Sequence, residues 1–474
     1  MILSLRPYQE KCIADIRLAF RQGQQSVLFQ SPTASGKTVM FAFITEAAAA
    51  KGNRVIIMMH RQEILLQTSR ALLSLGVPHG LIAPRFTPTK ELVQVASVQT
   101  LVRRLDKFPE PDLIVIDEAH HTVAGSWRKI IEHFPKAKIL GVTATPHRLD
   151  GKGLGRKSGG FYDTLVLGPS VTDLIDQGYL SKPVVYAPPT GINLSGVHRR
   201  FGDYVQSEVE EIIDKPKITG SAVEHYGKIC PGAPAIAFCV SVAHAEHVAG
   251  KFNDAGIPSL SIDGKLNDAE RKDRIDALAS GRIKVLTSCE IVSEGTDIPI
   301  VTAAILLRPT QSLALHLQQV GRVLRIHPEK ERSIILDHVG NTFRHGFPDD
   351  EREWSLVGAK DVPKKGNNGA SPYIQCDMCY AVFMRTLPAC PECGFVRQIT
   401  PRKIEQVDGE LREITRRERE RVQRDRRREV ARARTEDELR RIARERGYKP
   451  GWVYQIMRAR GQRITKRKKE EVFA

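Results

Sequence analysis

Twice along the chain, short apolar runs rich in β-branched residues alternate with longer stretches of helical periodicity, and this alternation constrains the fold more than any other feature. Between Ser26 and Thr145 the runs are SVLFQ, RVIIMM, DLIVID and KILGVTAT, separated by helix-like segments such as Thr38 to Ala50 and Gln62 to Leu75. Runs that are apolar at nearly every position belong to strands buried on both faces, as in a parallel sheet covered by crossover helices. A second series, AIAFCV, KVLTSC, TAAILL and SIILD, lies between about residues 232 and 338. The chain reads as two α/β domains in tandem, 1–165 and 226–345, joined by a linker or accessory segment, 166–225.

The 474 residues leave room for more than these two domains, and 41% hydrophobic with 27% charged residues exclude a mostly disordered or collagen-like chain. No apolar run approaches the ~18 residues needed to cross a bilayer, and the start, MILSLRPYQEK, lacks the apolar core of a signal peptide. A cytoplasmic protein without a membrane partner is expected. Lys and Arg outnumber Asp and Glu by 72 to 55, a net charge of +17 that points to a polyanionic partner.

Most of that excess sits at the end: residues 401–474 hold 25 basic and 14 acidic side chains, or +11. This tail, 399–474, reads as helical. Arg and Glu alternate from Leu411 to Val430 as on a solvated face, and a helical hairpin follows. In the hairpin Thr435 and Glu438 fit a capping box, Gly447 sits at a helix stop, and Trp452 with Ile456 and Val453 with Met457 have four-residue spacing. Nucleic-acid phosphate is the expected contact of the tail, with a protein partner at the hairpin as the alternative.

Four of the eight cysteines cluster as CDMC and CPECG, placing Cys376, Cys379, Cys390 and Cys393 on two tight turns with ten residues between them. In reducing surroundings this spacing favours a tetrahedral Zn²⁺ site over disulfides, because each Cys-x-x-Cys turn chelates one edge of the tetrahedron. A zinc ribbon over 371–398 is expected, and its loss is expected to leave the larger domains folded.

SPTASGKT, Ser31 to Thr38, follows the run SVLFQ and opens a helix. Backbone N–H groups at such a helix start, around Ser35 and Gly36, point at phosphate; Lys37 is placed to neutralise it and Thr38 to bind Mg²⁺. DLIVIDEAH ends a strand in Asp117, a second Mg²⁺ ligand, and Glu118, which can activate an attacking water. Either element alone occurs by chance; the two in this order on one sheet point to a nucleoside triphosphate.

Together these motifs resemble a superfamily 2 helicase of the DEAH type, over residues 1 to about 340. The resemblance implies two RecA-like domains, ATP with Mg²⁺, and motion along nucleic acid. LRPYQ, with Arg6 and Gln9, is similar to the element whose Gln reads adenine. HRQEILLQ from His60 and SVQT from Ser97 resemble strand-contacting motifs; TAT at Thr143 to Thr145 resembles the motif coupling hydrolysis to domain movement; His120 of the DEAH motif is expected to link the domains. TSCEIVSEGTDIP resembles the motif whose Gly295 and Asp297 approach nucleotide and strand, and QQVGRVLR the arginine-finger motif, offering Arg322 and Arg325. Ala34 stands where the family usually carries glycine in its phosphate loop. LRPYQ, RRFGDY near Arg199, the cysteine cluster and RGYKPGWVYQIMRAR are most similar to RadD-like bacterial and bacteriophage helicases, which implies DNA rather than RNA. An RNA helicase, and an ATP-switched nucleic-acid-binding adaptor that does not unwind, are the alternatives.

Overall fold

The computed structural model describes residues 4–84, 86–87, 89–148, 152–187, 196–200, 203–214, 216–289, 298–357 and 372–396, and in the tail 429–430, 433, 435–446 and 451–459. Gly295, Asp297, the charged run up to residue 428 and Gly447 lie outside the described residues. The chain divides into two compact units, 1–398 and 399–474.

The first sheet comprises β1 (Ser26–Gln30), β2 (Val55–Met59), β3 (His79–Ile82), β4 (Val93–Ser97), β5 (Leu113–Asp117), β6 (Lys138–Thr143) and β7 (Thr164–Leu167). They run parallel in the order β3-β4-β2-β5-β6-β1-β7. β1, β2 and β5 are buried at every position, and helices cover both faces, with Phe29, Ile57 and Val115 in one core layer and Leu28, Met58 and Ile116 in the other. The carboxyl ends of β1 and β5 lie one strand apart, about 10 Å at ordinary strand spacing, where open α/β sheets bind ligands.

The second sheet takes β8 (Pro183–Tyr186), then, after a small hairpin of β9 (Arg199–Arg200) and β10 (Asp203–Tyr204), β11 (Ala235–Phe238), β12 (Ser259–Ile262), β13 (Val285–Ser288), β14 (Ala303–Leu306) and β15 (Ser333–Asp337). Its order is β12-β13-β11-β14-β15-β8, again parallel. The stretch that reads as a linker therefore gives the second sheet its edge strand β8, beside β15, while β7, beside β1 at the edge of the first sheet, straddles the start of that stretch. TLVL and PVVY are four-residue runs, too short for periodicity to separate them from loop. Past the second sheet the chain returns to the first domain: Gly155 N–H donates to Leu356 O at 3.1 Å, and Trp354 lies 5.2 Å from the His147 ring.

The cysteine-bearing segment forms an antiparallel pair, β16 (Tyr373–Gln375) and β17 (Val382–Met384). It is not separate, contrary to the expectation from its sequence. Ile374, Cys376, Ala381, Val382, Phe383 and Cys390 belong to the same buried core as Phe238, Ile305 and Leu336. Ala381 pairs with Tyr186, Ala187 N–H donates to Tyr380 O at 3.0 Å, and Arg332 meets Glu392 at 2.7 Å, so the free edge of β8 is covered.

In the second unit, helices Glu436–Glu445 and Gly451–Ala459 bury Leu439, Ile442 and Ala443 with Val453 and Met457. Thr435 and Glu438 exchange bonds of 3.0 and 3.3 Å as a capping box. Among the described residues no helix is long and apolar enough to cross a membrane.

Candidate active site

β1 hands its buried chain directly to the loop Ser31–Gly36, which helix Lys37–Ala49 continues. Ser31 N–H donates to Thr143 O of the β6 end at 3.0 Å, and Ser31 Oγ–H to Ser35 Oγ at 2.7 Å, closing the loop on itself. The turn needs left-handed backbone at Ala34 (φ 69°) and Gly36 (φ 78°). At Gly36 a Cβ would stand 2.5 Å from Gln9 Nε2, so only glycine fits. Ala34 adopts a conformation costing an L-residue about 1 kcal/mol, where the resembled family places glycine.

The N-terminal helix braces this loop. Tyr8 O–H donates to Ser35 O at 2.7 Å and Gln9 Nε2 donates to the same oxygen at 3.2 Å, while Gln9 Oε1 accepts from Arg6 N–H at 2.9 Å. Gln9 is buried against the loop Ser31–Gly36. Lys37 Nζ donates to the loop carbonyls of Ser31 (3.2 Å) and Pro32 (3.0 Å). Burial lowers its pKa; Glu118 and Asp117 oppose the shift, and Arg322 and Arg325 reinforce it. Lys37 is thus a buried cation whose hydrogen bonds go to two carbonyls of its own loop.

Asp117 ends β5 and accepts from Glu118 N–H at 3.0 Å, while Glu118 turns away with φ 48°. Glu118 Oε2 lies 3.4 Å from His120 Nδ1, which lies 3.3 Å from Thr143 Oγ1. Thr143 Oγ1–H donates to Thr145 O at 3.0 Å. These contacts tie the carboxylate to the TAT segment inside the first domain.

From the second domain, helix Leu313–Gly321 ends at Arg322. A Cβ on Gly321 would stand 2.5 Å from Thr33 Cβ of the phosphate loop, so this glycine permits the approach of the two domains. Arg322 is 8% exposed. Arg322, Arg325, Lys37, Thr38, Asp117, Glu118, Arg6 and Gly36 line one cavity of about 330 Å³. Tyr179 lines it as well. Its ring lies 5.1 Å from Tyr8 and carries the Arg6 guanidinium 4.7 Å above it, a wall that sequence reasoning missed because nothing in QGYL marks it.

The four cysteine Sγ atoms lie within 4.8 Å of one another, with 3.6 Å between Cys376 and Cys393 and between Cys379 and Cys390. Thiolates about 2.3 Å from a tetrahedral zinc are about 3.8 Å apart, so the donor set fits Zn²⁺. The two knuckles match: Tyr380 N–H donates to Cys376 O (3.0 Å) and Gly394 N–H to Cys390 O (2.9 Å), with positive φ at both Tyr380 (64°) and Gly394 (72°).

Two family models match the chain, one described as the res subunit of type III restriction enzymes over residues 2–148, the other as the helicase conserved C-terminal domain over residues 221–327. A 51.5 kDa protein of a Lactococcus phage is 34% identical over 367 residues, covering 77% of each chain. The ATP-dependent helicase IRC3 of Saccharomyces cerevisiae is 30% identical over 71% of this chain, which spans 51% of the yeast protein. Among solved structures, an HsdR-subunit fragment of a type I restriction enzyme from Vibrio vulnificus superposes with a TM-score of 0.58 at 22% identity, covering 73% of this chain and 66% of the fragment.

Proposed function

The chain belongs to the superfamily 2 helicases, and from that premise we propose that it is an ATP-hydrolysing motor acting on DNA in preference to RNA. The observation that carries this is the shared cavity: Lys37, Thr38, Asp117 and Glu118 arrive from one sheet, Arg322 and Arg325 from the other. ATP with Mg²⁺ brings the transferable phosphoryl group and its counter-charge, and Ser35, Gly36, Lys37, Thr38 and Asp117 are the residues that would hold them. Lys37 gives up its carbonyl partners for phosphate oxygens. Glu118, with its carboxylate beside His120 Nδ1, takes the proton of the attacking water. Arg322 and Arg325 supply positive charge from the second domain, so transition-state stabilisation depends on how the two domains meet.

Arg6, Gln9 and Tyr179 form the base end of the site in this reading. Gly295 and Asp297 remain proposed contacts to nucleotide and strand. Zn²⁺ at the four cysteines is the proposed structural metal. The working division is 1–165 and 226–345 for the motor domains, 166–225 between them with β8 given to the second sheet, 371–398 for the zinc ribbon and 399–474 for the tail. DNA is favoured because the model matched by residues 2–148 is named for a restriction enzyme, a class that acts on DNA. The phage relative supports a bacterial or bacteriophage-encoded protein working in the cytoplasm.

The test is ATP turnover measured in parallel with single-stranded DNA, duplex DNA, forked DNA and RNA. Stimulation by DNA above RNA is expected. Equal stimulation by RNA would remove the DNA preference, and no stimulation by any of them would remove the motor reading.

A further inference from the structure

Lys330 lies in the charged turn HPEKER, where a lysine ordinarily extends into solvent, yet it is only 9% exposed. Its ammonium turns inward and meets only carbonyl oxygens: Val301 O at 2.9 Å, Arg325 O at 2.9 Å, and Val323 O. Three N–H donors face three acceptors, the full capacity of the group. Burial, with the Arg325 charge adding to it, pulls the pKa down to about 7. No carboxylate is among its bonded partners to offset that cost, so the bonds must serve to hold those carbonyls.

Two of the three belong to the turn that carries the arginines. Residues past a helix end leave carbonyls without intrahelical partners, and Leu313–Gly321 stops immediately before Arg322. Lys330 fills that need at Val323 and Arg325, Ser333 Oγ–H also donates to Val323 O, and Ser181 N–H donates to Leu324 O at 2.8 Å. The third carbonyl, Val301 O, lies two residues beyond Pro299, which lines the nucleotide cavity with Arg322 and Arg325. One side chain thus ties together two second-domain segments that reach the cavity.

We propose that Lys330 is a positioning residue for ATP hydrolysis: it fastens the backbone of the Arg322–Arg325 turn to Val301 and so aims the two guanidinium groups into the cavity. The proposal rests on the reading that those arginines complete the ATP site. A small misplacement of a catalytic group costs up to about 10²-fold in rate, so Lys330→Met should lower kcat by about tenfold to hundredfold with KM for ATP within about twofold of wild type.

The test is a double-mutant cycle on the full chain with DNA in excess, measuring kcat and KM for ATP of wild type, Lys330→Met, Arg325→Ala and both together. If Lys330 acts through the arginine turn, Lys330→Met costs clearly less in the Arg325→Ala background than alone, the remainder reporting its hold on Arg322. Losses that multiply, a KM that rises in step with the fall in kcat, or wild-type turnover in Lys330→Met would each overturn the proposal. Wild-type turnover in Arg325→Ala would instead overturn the reading of the ATP site beneath it. Should Lys330→Met fail to fold, Lys330→Arg and Lys330→Gln make the comparison: the arginine variant, which keeps the cation, should lie nearer wild type, and equal kcat in the two would overturn the proposal.

Discussion

At the scale of single residues, the site is a set of opposing charges drawn from two domains into one cavity. Lys37 is the loop's cation, so Lys37→Ala should lower ATP turnover by about 10²-fold or more while DNA binding survives, and Glu118→Gln should retain ATP without hydrolysing it. Steady-state turnover and filter binding of labelled ATP on each variant check this; normal hydrolysis by Glu118→Gln would mean another base. Tyr179→Ala should act differently, raising KM for ATP by about threefold to tenfold with a smaller change in kcat, since an aromatic contact contributes roughly 1 kcal/mol. Lys37, Asp117 and Glu118 were legible because phosphate and metal demand fixed residue types at fixed spacing on strand ends. Tyr179 was not. Its contribution arises from where the chain passes, beside Tyr8 and Arg6, and long-range proximity leaves no local spacing.

At the scale of elements, the strands that announce themselves are those buried on both faces, such as VIIMM in β2, while the edge strands β7 and β8 stay hidden in short mixed runs. The cysteine turns were equally plain, because knuckle geometry dictates Cys-x-x-Cys. What the turns pack against is a tertiary matter, and here the separate module expected from the sequence gives way to a shared core with the second sheet. One zinc per chain is expected by native mass spectrometry. Its removal by chelator, or Cys376→Ser with Cys390→Ser, should destabilise the second motor domain as well as the ribbon. At this size each kcal/mol lost lowers Tm by about 2–4 °C, so calorimetry should register a fall of roughly 5 °C or more in that transition. A motor transition unmoved by zinc loss would show that the shared core adds nothing.

At the scale of the whole molecule, residues 401–474 carry +11 of the chain's +17. If the tail neutralises phosphates, each contact contributes about −0.9 to the slope of log affinity against log salt on duplex DNA. A chain ending at residue 398 should then bind more weakly with a flatter slope, measured by fluorescence anisotropy from low to moderate salt. Unchanged slope and affinity would assign the hairpin to a protein partner instead.

Segments between domains are commonly where a chain tolerates a tag, an inserted domain or a cut. The stretch between β7 and β8 does not have that freedom. It leaves one sheet as an edge strand, lends Tyr179 to the nucleotide cavity, pairs Leu180 with Arg325, donates from Ser181 to the arginine turn and enters the other sheet as an edge strand. A fluorescent reporter inserted there would disturb the chemistry it was meant to watch, and two halves separated at that point would each lack part of the cleft. Sensors of domain movement belong instead on exposed surface such as Lys51, in the turn that follows helix Lys37–Ala49.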